Sequence, residues 1–142
     1  VRISVDQLIP APVDEVWDDI GDLETHVEWM ADAESIEFVG DRRRGMGTTM
    51  RVLTRLGPLR TTDLIRVVSW DPPHRIGVVH EGLVTGRGEF RLAPEAGHTR
   101  FSWEEDLGFP WYLGGDVTAY AARPLLRRVW KRNLSRLAAR FH

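Results

Sequence analysis

One carboxylate stands out against its neighbours. In the segment Thr99–Leu107 the residues alternate: Thr99, Phe101, Trp103, Glu105 and Leu107 share one side, while Arg100, Ser102, Glu104 and Asp106 share the other and suit water. Glu105 falls on the apolar side, where a carboxyl group needs solvent, a salt bridge or a ligand hydrogen bond. A rim position, or a pair with an Arg on a neighbouring strand, is the favoured reading; a recessed Glu105 would be the best general acid or base in the chain. The segment Arg75–Gly82 offers a second group. His80 shares a side with Ile76 and Val78, and Glu81 shares the other with Gly77 and Val79. The alternation leaves open which side is inward, and a regular strand turns only one of the two in. Glu105 and His80 are thus the candidate catalytic residues, as proton shuttles, with a satisfied structural His the commoner outcome.

Among the other reactive side chains, Thr61, Asp63, Ile65 and Val67 oppose Thr62, Leu64, Arg66 and Val68, and Arg51 and Arg55 lie on an earlier strand. Arg51, Arg55 and Asp63 read first as cross-strand pairs on a wet face, worth about 0.2–1 kcal/mol each. The less common reading puts Arg51 in a pocket, holding a carboxylate or enolate. His26, His80 and Glu105 lack metal-ligand spacing, so no metal is expected. Gly86-Arg87-Gly88 precedes a strand rather than a helix, and there is no Gly-Lys-Ser/Thr loop, so no cofactor is expected either. With no Cys and no Gly-x-Ser-x-Gly elbow, covalent nucleophilic catalysis has little support.

The aromatic residues suit a cavity better than they suit chemistry. Six Trp is a high count for 142 residues, and rings of that size need a large core or a hollow to line. The candidate ligand-binding residues are Phe101 and Trp103 on the inward side of the last strand, Trp130 on the final helix, Trp29 as wall or lid, and the pocket Arg51. Trp111 and Tyr112 sit with Phe109 among Gly108, Gly114 and Gly115, either a gate with Gly hinges or a fixed plug. Tyr120 can offer its hydroxyl from the helix.

These residues require elements to hold them. Val1–Ile9 alternates as a strand and ends at Pro10 and Pro12. A short amphipathic helix follows, carrying Val13, Val16, Trp17 and Ile20 with acids in its first turn. Gly21 breaks it, and Asp22 caps a second short helix with Leu23, His26, Val27 and Met30. Six strands come next: Ser35–Val39, Thr48–Leu56, Leu59–Trp70, Arg75–Gly82, Gly86–Leu92 and Thr99–Leu107, with turns at residues 40–47, at Gly57-Pro58, at Asp71-Pro72-Pro73 and at Glu95-Ala96-Gly97. A helix runs from about Asp116, its cap, to Phe141, with Leu126, Trp130, Leu134, Leu137 and Phe141 on one face, and Pro124 should kink or restart it. Successive strands on short turns pair as an antiparallel meander. One helix cannot cover a seven-stranded sheet, so a concave apolar area is left for short helices, loops or a ligand.

The chain resembles the START-like (SRPBCC) superfamily with the helix-grip fold, in particular its bacterial polyketide cyclase/dehydrase and lipid-transport-type members. The matching residues are Ile9-Pro10-Ala11-Pro12-Val13-Asp14-Glu15-Val16-Trp17, Asp22-Leu23 with Trp29, Trp70-Asp71-Pro72-Pro73, Gly86 to Leu92, and Gly97-His98-Thr99 before Phe101 and Trp103. The resemblance covers nearly the whole chain and implies an α+β fold: a seven-stranded curved antiparallel sheet wrapped around a long C-terminal helix, with two short helices after the first strand. It also implies an elongated cavity between sheet and helix in a single domain, residues 1–142. It does not choose one activity, because this fold hosts binding proteins and enzymes alike.

Charge and composition narrow the partners. Twelve of 21 acids lie within residues 6–41, whereas Arg123 to His142 holds seven bases and no acid, with Arg128, Arg132, Arg136 and Arg140 in a stripe. That stripe faces water, an acidic protein or a membrane surface. The net charge of −2 and the lack of aromatic-basic interleaving on the strands argue against nucleic acid. No apolar run is long enough to span a membrane, and the start lacks a signal-peptide pattern, so a cytoplasmic protein is expected, with an initiator Met preceding Val1. A homodimer is reasonable, though no residue specifies one. Three functions compete: binding of a small hydrophobic molecule (lipid, isoprenoid or polyketide-like), a cyclase/dehydratase-type enzyme using pocket acid-base groups, and an interaction module using the basic helix. Binding leads, because no strongly paired acid and base is visible.

Overall fold

The computed structural model describes residues 1–56 and 58–141. Strand β1 (Arg2–Ile9) leads into helix α1 (Val13–Ile20) and a 3-10 turn (Leu23–Glu28). Strands β2 (Ala33–Val39), β3 (Thr49–Leu56), β4 (Leu59–Asp71), β5 (Arg75–Glu81), β6 (Thr85–Glu95) and β7 (His98–Gly108) follow. A 3-10 turn (Trp111–Leu113) then opens helix α2 (Gly115–Ala138). The seven strands form one curved antiparallel sheet in the order β1-β7-β6-β5-β4-β3-β2. The meander runs from β2 to β7, and β1 closes beside the last strand, with Val5 opposite Trp103 and Ile3 opposite Glu105. Of the expected Gly57-Pro58 turn, Gly57 lies outside the described residues.

Period-two patterning sets which side is covered. On β7, Thr99, Phe101, Trp103, Glu105 and Leu107 are all buried, while Glu104 and Asp106 are exposed. The exposed face carries ion pairs: Arg2–Glu104 at 3.3 Å, Arg66–Glu81 at 3.3 Å and Arg51–Glu37 at 3.5 Å. Helix α1 has Pro12 at its N-cap position and Asp14 and Glu15 in its first turn, and it buries Val16 and Ile20. In the core, Trp29 is fully buried and its ring meets His26, Phe90, Phe101 and Trp103 at centroid distances of 5.2, 6.0, 6.4 and 6.2 Å.

Two expectations about α2 need correction. Asp116 does not cap the helix: Gly114 holds the N-cap position at φ 96°, a left-handed conformation suited to glycine, and Asp116 lies in the first turn. Pro124 does not restart it either, for the helix continues through Pro124 to Ala138. Leu126, Trp130, Leu134 and Leu137 are buried, as the spacing predicts. The charge imbalance is settled partly within the molecule. Arg140 grips Asp19 on α1 through two hydrogen bonds of 2.7 and 2.8 Å and reaches Glu28 at 3.5 Å, whereas Arg128, Arg132 and Arg136 remain exposed. No helix among the described residues is long and apolar enough to cross a membrane.

Candidate functional site

Trp130 stacks on Trp103 with ring centroids 4.9 Å apart and planes 16° from parallel, so helix and sheet meet there without a gap. To one side of that contact a hollow of about 370 Å³ opens between the sheet and the first half of α2. Ile65, Ile76 and Val78 form part of its sheet wall, and Ala122, Leu125 and Leu126 part of its helix wall. Leu125 is 54% exposed and marks the mouth.

The hollow has one polar corner, built by register. His80 on β5 stands opposite Gly86 on β6, and Glu105 on β7 stands opposite Gly88. His80 and Glu105 are two strands apart, about 10 Å along the sheet, yet His80 Nε2 lies 2.6 Å from Glu105 Oε2. They meet because β6 places no side chain between them. A Cβ on Gly88 would stand 2.5 Å from Glu105 Oε1, and one on Gly86 would collide with the Asp106 carbonyl. The contact is an ion pair when the imidazole is protonated, and the carboxylate favours that form. Trp103 Nε1–H donates to Glu105 Oε1 at 3.1 Å and fixes the carboxylate from the other side. Burial lowers the basicity of His80, but the adjoining Glu105 carboxylate and the charge of Asp63 raise it more, so its pKa lies above the ordinary value.

Asp63 completes the corner from β4. It pairs with Val52 across the ladder and is buried. A Cβ on Gly82 would stand 2.5 Å from Asp63 Oδ1, so this carboxylate too occupies room left by a glycine. Burial pushes its pKa up, only partly offset by the Thr61 hydroxyl donating to Oδ2 at 3.3 Å, by His80 and by the nearby Val84 and Leu83 amides. Oδ1 itself is buried against Gly82, with no well-aligned hydrogen bond from those amides. At the cavity edge Asp32 accepts from Asn133 Nδ2 at 2.7 Å, while the Ala31 amide donates to Asn133 Oδ1 at 2.9 Å. Burial raises the pKa of Asp32, against the Asn133 bond and with the charge of Glu105. His26 also lines the hollow, but its Nε2 is bound to the Ile20 carbonyl at 2.7 Å, and burial lowers its pKa.

The candidate residues therefore separate. His80, Glu105, Trp103 and Trp130 line the hollow. Glu81 points outward to Arg66, and the partner of Glu105 is a His rather than an Arg. For Arg51 the wet-face reading is the observed one and the pocket reading is corrected: it stands on the outer face with Glu37, because its inward neighbours in β3 are Met50 and Val52. Trp29 and Phe101 are core residues behind the wall. Trp111, Tyr112 and Tyr120 are 87%, 64% and 61% exposed and do not line the hollow. With so little contact to lose, Trp111→Ala should change the unfolding free energy by less than about 0.5 kcal/mol in urea denaturation.

Asp63 is a correction: read as part of a cross-strand pair on a wet face, it is buried at the hollow, while Asp32, also on the wall, and its partner Asn133 were not singled out. Asp63 shares its alternation with Ile65 and Val67, which was the available signal. Gly88 carried another: a glycine inside a strand leaves room on the face where its side chain would stand.

The model of the family described as "Polyketide cyclase / dehydrase and lipid transport" matches residues 1–142. No curated protein matches the chain. Among solved structures, a protein from Thermus thermophilus superposes with a TM-score of 0.85 at 22% identity, covering 99% of this chain and 96% of that one. The Zhui aromatase/cyclase from Streptomyces sp. R1128 superposes at 0.76 with 20% identity, covering 99% and 92%. The protein XoxI from Bacillus cereus does so at 0.77 with 15% identity, covering 99% and 95%. At these identities the superpositions establish the fold, helix-grip. Sheet, helix and full-length family match agree, and the chain belongs to the polyketide cyclase/dehydrase and lipid transport family.

Proposed function

We propose that the chain binds a small, largely apolar molecule in the hollow beneath α2, with one polar group of that molecule meeting Asp63, His80 and Glu105. The observation that carries this reading is a 370 Å³ space with mainly apolar walls, aliphatic and aromatic, against which Asp63, His80 and Glu105 are grouped, a size and make-up suited to a small-molecule site. A neutral fluorophore, N-phenylnaphthylamine, should brighten on binding. Ala122→Phe, which pushes a ring into the space from the helix wall, should weaken that binding about tenfold or more while circular dichroism stays unchanged. A folded protein that leaves the fluorophore dark would overturn the reading.

Acid-base chemistry on the guest is the second reading. It is supported by the His80–Glu105 contact in a recessed corner and by the raised pKa of His80. In a dehydration, one group takes the proton beside a carbonyl and the imidazolium protonates the departing hydroxyl, so that water and a conjugated enone leave. The substrate class is then a β-hydroxyketone, such as the aldol of benzaldehyde and acetone, whose product absorbs in the near ultraviolet.

A further inference from the structure

We infer that the guest presents a hydrogen-bond donor, a hydroxyl or an amine, to Asp63 and carries no carboxylate. This deepens the binding reading and rests on it.

The argument is an inventory of charge. Among the described residues no Arg or Lys lines the hollow, although the chain has 19 of them. The two imidazoles on its wall are both committed: His26 to the Ile20 carbonyl, and His80 to Glu105 at 2.6 Å. Of the four lining carboxylates, Glu89 is held by Arg75 at 2.7 Å and Arg91 at 2.6 Å, and Asp32 is held by Asn133. Glu105 is matched by His80. That leaves Asp63, 9% exposed: its Oδ1 is buried against Gly82 beside the Leu83 and Val84 amides, and its Oδ2 accepts from the Thr61 hydroxyl at a long 3.3 Å.

A recessed carboxylate short of donors is costly, and a guest that supplies one recovers part of that cost. A guest carboxylate does the opposite. It would bring an unmatched negative charge into a recessed corner that already holds Asp63 and Glu105 beside a single imidazole, with no guanidinium or ammonium to receive it. The same chemistry admits a neutral alcohol, a phenol or a protonated amine, and it excludes free fatty acids.

The test is displacement of N-phenylnaphthylamine at neutral pH by three probes of equal chain length: decanol, decylamine and decanoate. Decanol and decylamine should displace it at least about tenfold more tightly than decanoate, a difference of about 1.4 kcal/mol. Asp63→Asn replaces the acceptor by a group that also donates, so it should weaken decylamine about tenfold and narrow the gap to decanoate. If decanoate binds the native protein as tightly as decanol while the fluorophore still binds, the donor assignment fails and the binding site stands. If the fluorophore and all three probes fail to bind, the binding site itself fails. An order of affinities unchanged in a folded Asp63→Asn protein would remove Asp63 as the cause. The comparison on the native chain decides the ligand class even if that variant does not fold.

Discussion

Replacing Trp29 by alanine should lower the unfolding free energy by about 3–5 kcal/mol, read as a shift of the urea midpoint at unchanged slope. Trp29 is fully buried and joins the 3-10 turn to β6 and β7 through Phe90, Phe101 and Trp103. Alanine would leave a void among rings held by a sheet that cannot collapse onto it. A loss of that size is a large part of the whole stability of a domain this small. A drop below about 1 kcal/mol would mean that the ring cluster is not the packing centre that its burial implies.

Glu105→Gln should bring the His80 pKa down below its ordinary value, followed by NMR titration of the imidazole. Glutamine keeps an acceptor for the Trp103 indole N–H but removes the charge that offsets burial at His80. The direction of the stability effect follows. In the native protein the folded pKa of His80 exceeds its unfolded value of about 6.5. The stabilisation is therefore full below that value and is lost as pH rises through the folded pKa. In the variant, His80 joins His26 as an imidazole whose folded pKa is depressed, and such a group withdraws stability as pH falls. The gap between native and variant proteins should widen on acidification, towards the roughly 3 kcal/mol typical of a broken buried pair. A His80 titration that does not move would show that Glu105 is not its partner in solution. If the dehydration reading holds, the same variant should lose turnover of the benzaldehyde–acetone aldol while still binding N-phenylnaphthylamine.

Much of the fold could be read from local pattern. Alternation in Thr99–Leu107 placed Glu105 on the covered side, and the spacing of Leu126, Trp130, Leu134 and Leu137 identified the buried face of α2. The pattern failed where a property depends on several strands at once. Alternation says which residues share a side but not which side is inward, so His80 and Glu81 were indistinguishable until β5 was seen between β4 and β6. For the same reason Asp63 was read on the wet face, and a pocket place stayed open for Arg51, which lies on the outer face with Glu37. The His80–Glu105 contact skips a whole strand, and no local pattern within β5 or β7 encodes a gap in β6. Trp111, Tyr112 and Tyr120 misled in another way, since aromatic character signals apolar contact without saying whether the chain itself provides it.

The bare stretch of β6 makes the corner's chemistry unusually easy to edit. Gly88 is an on/off position: one added methyl group would stand 2.5 Å from Glu105 Oε1 and 2.9 Å from Oε2, and so force the carboxylate away from the imidazole. Homologues that keep His80 and Glu105 but carry alanine or larger there should hold the same two groups as strangers. A search for relatives with the same capability should therefore weigh an absent side chain as heavily as the acid and the base.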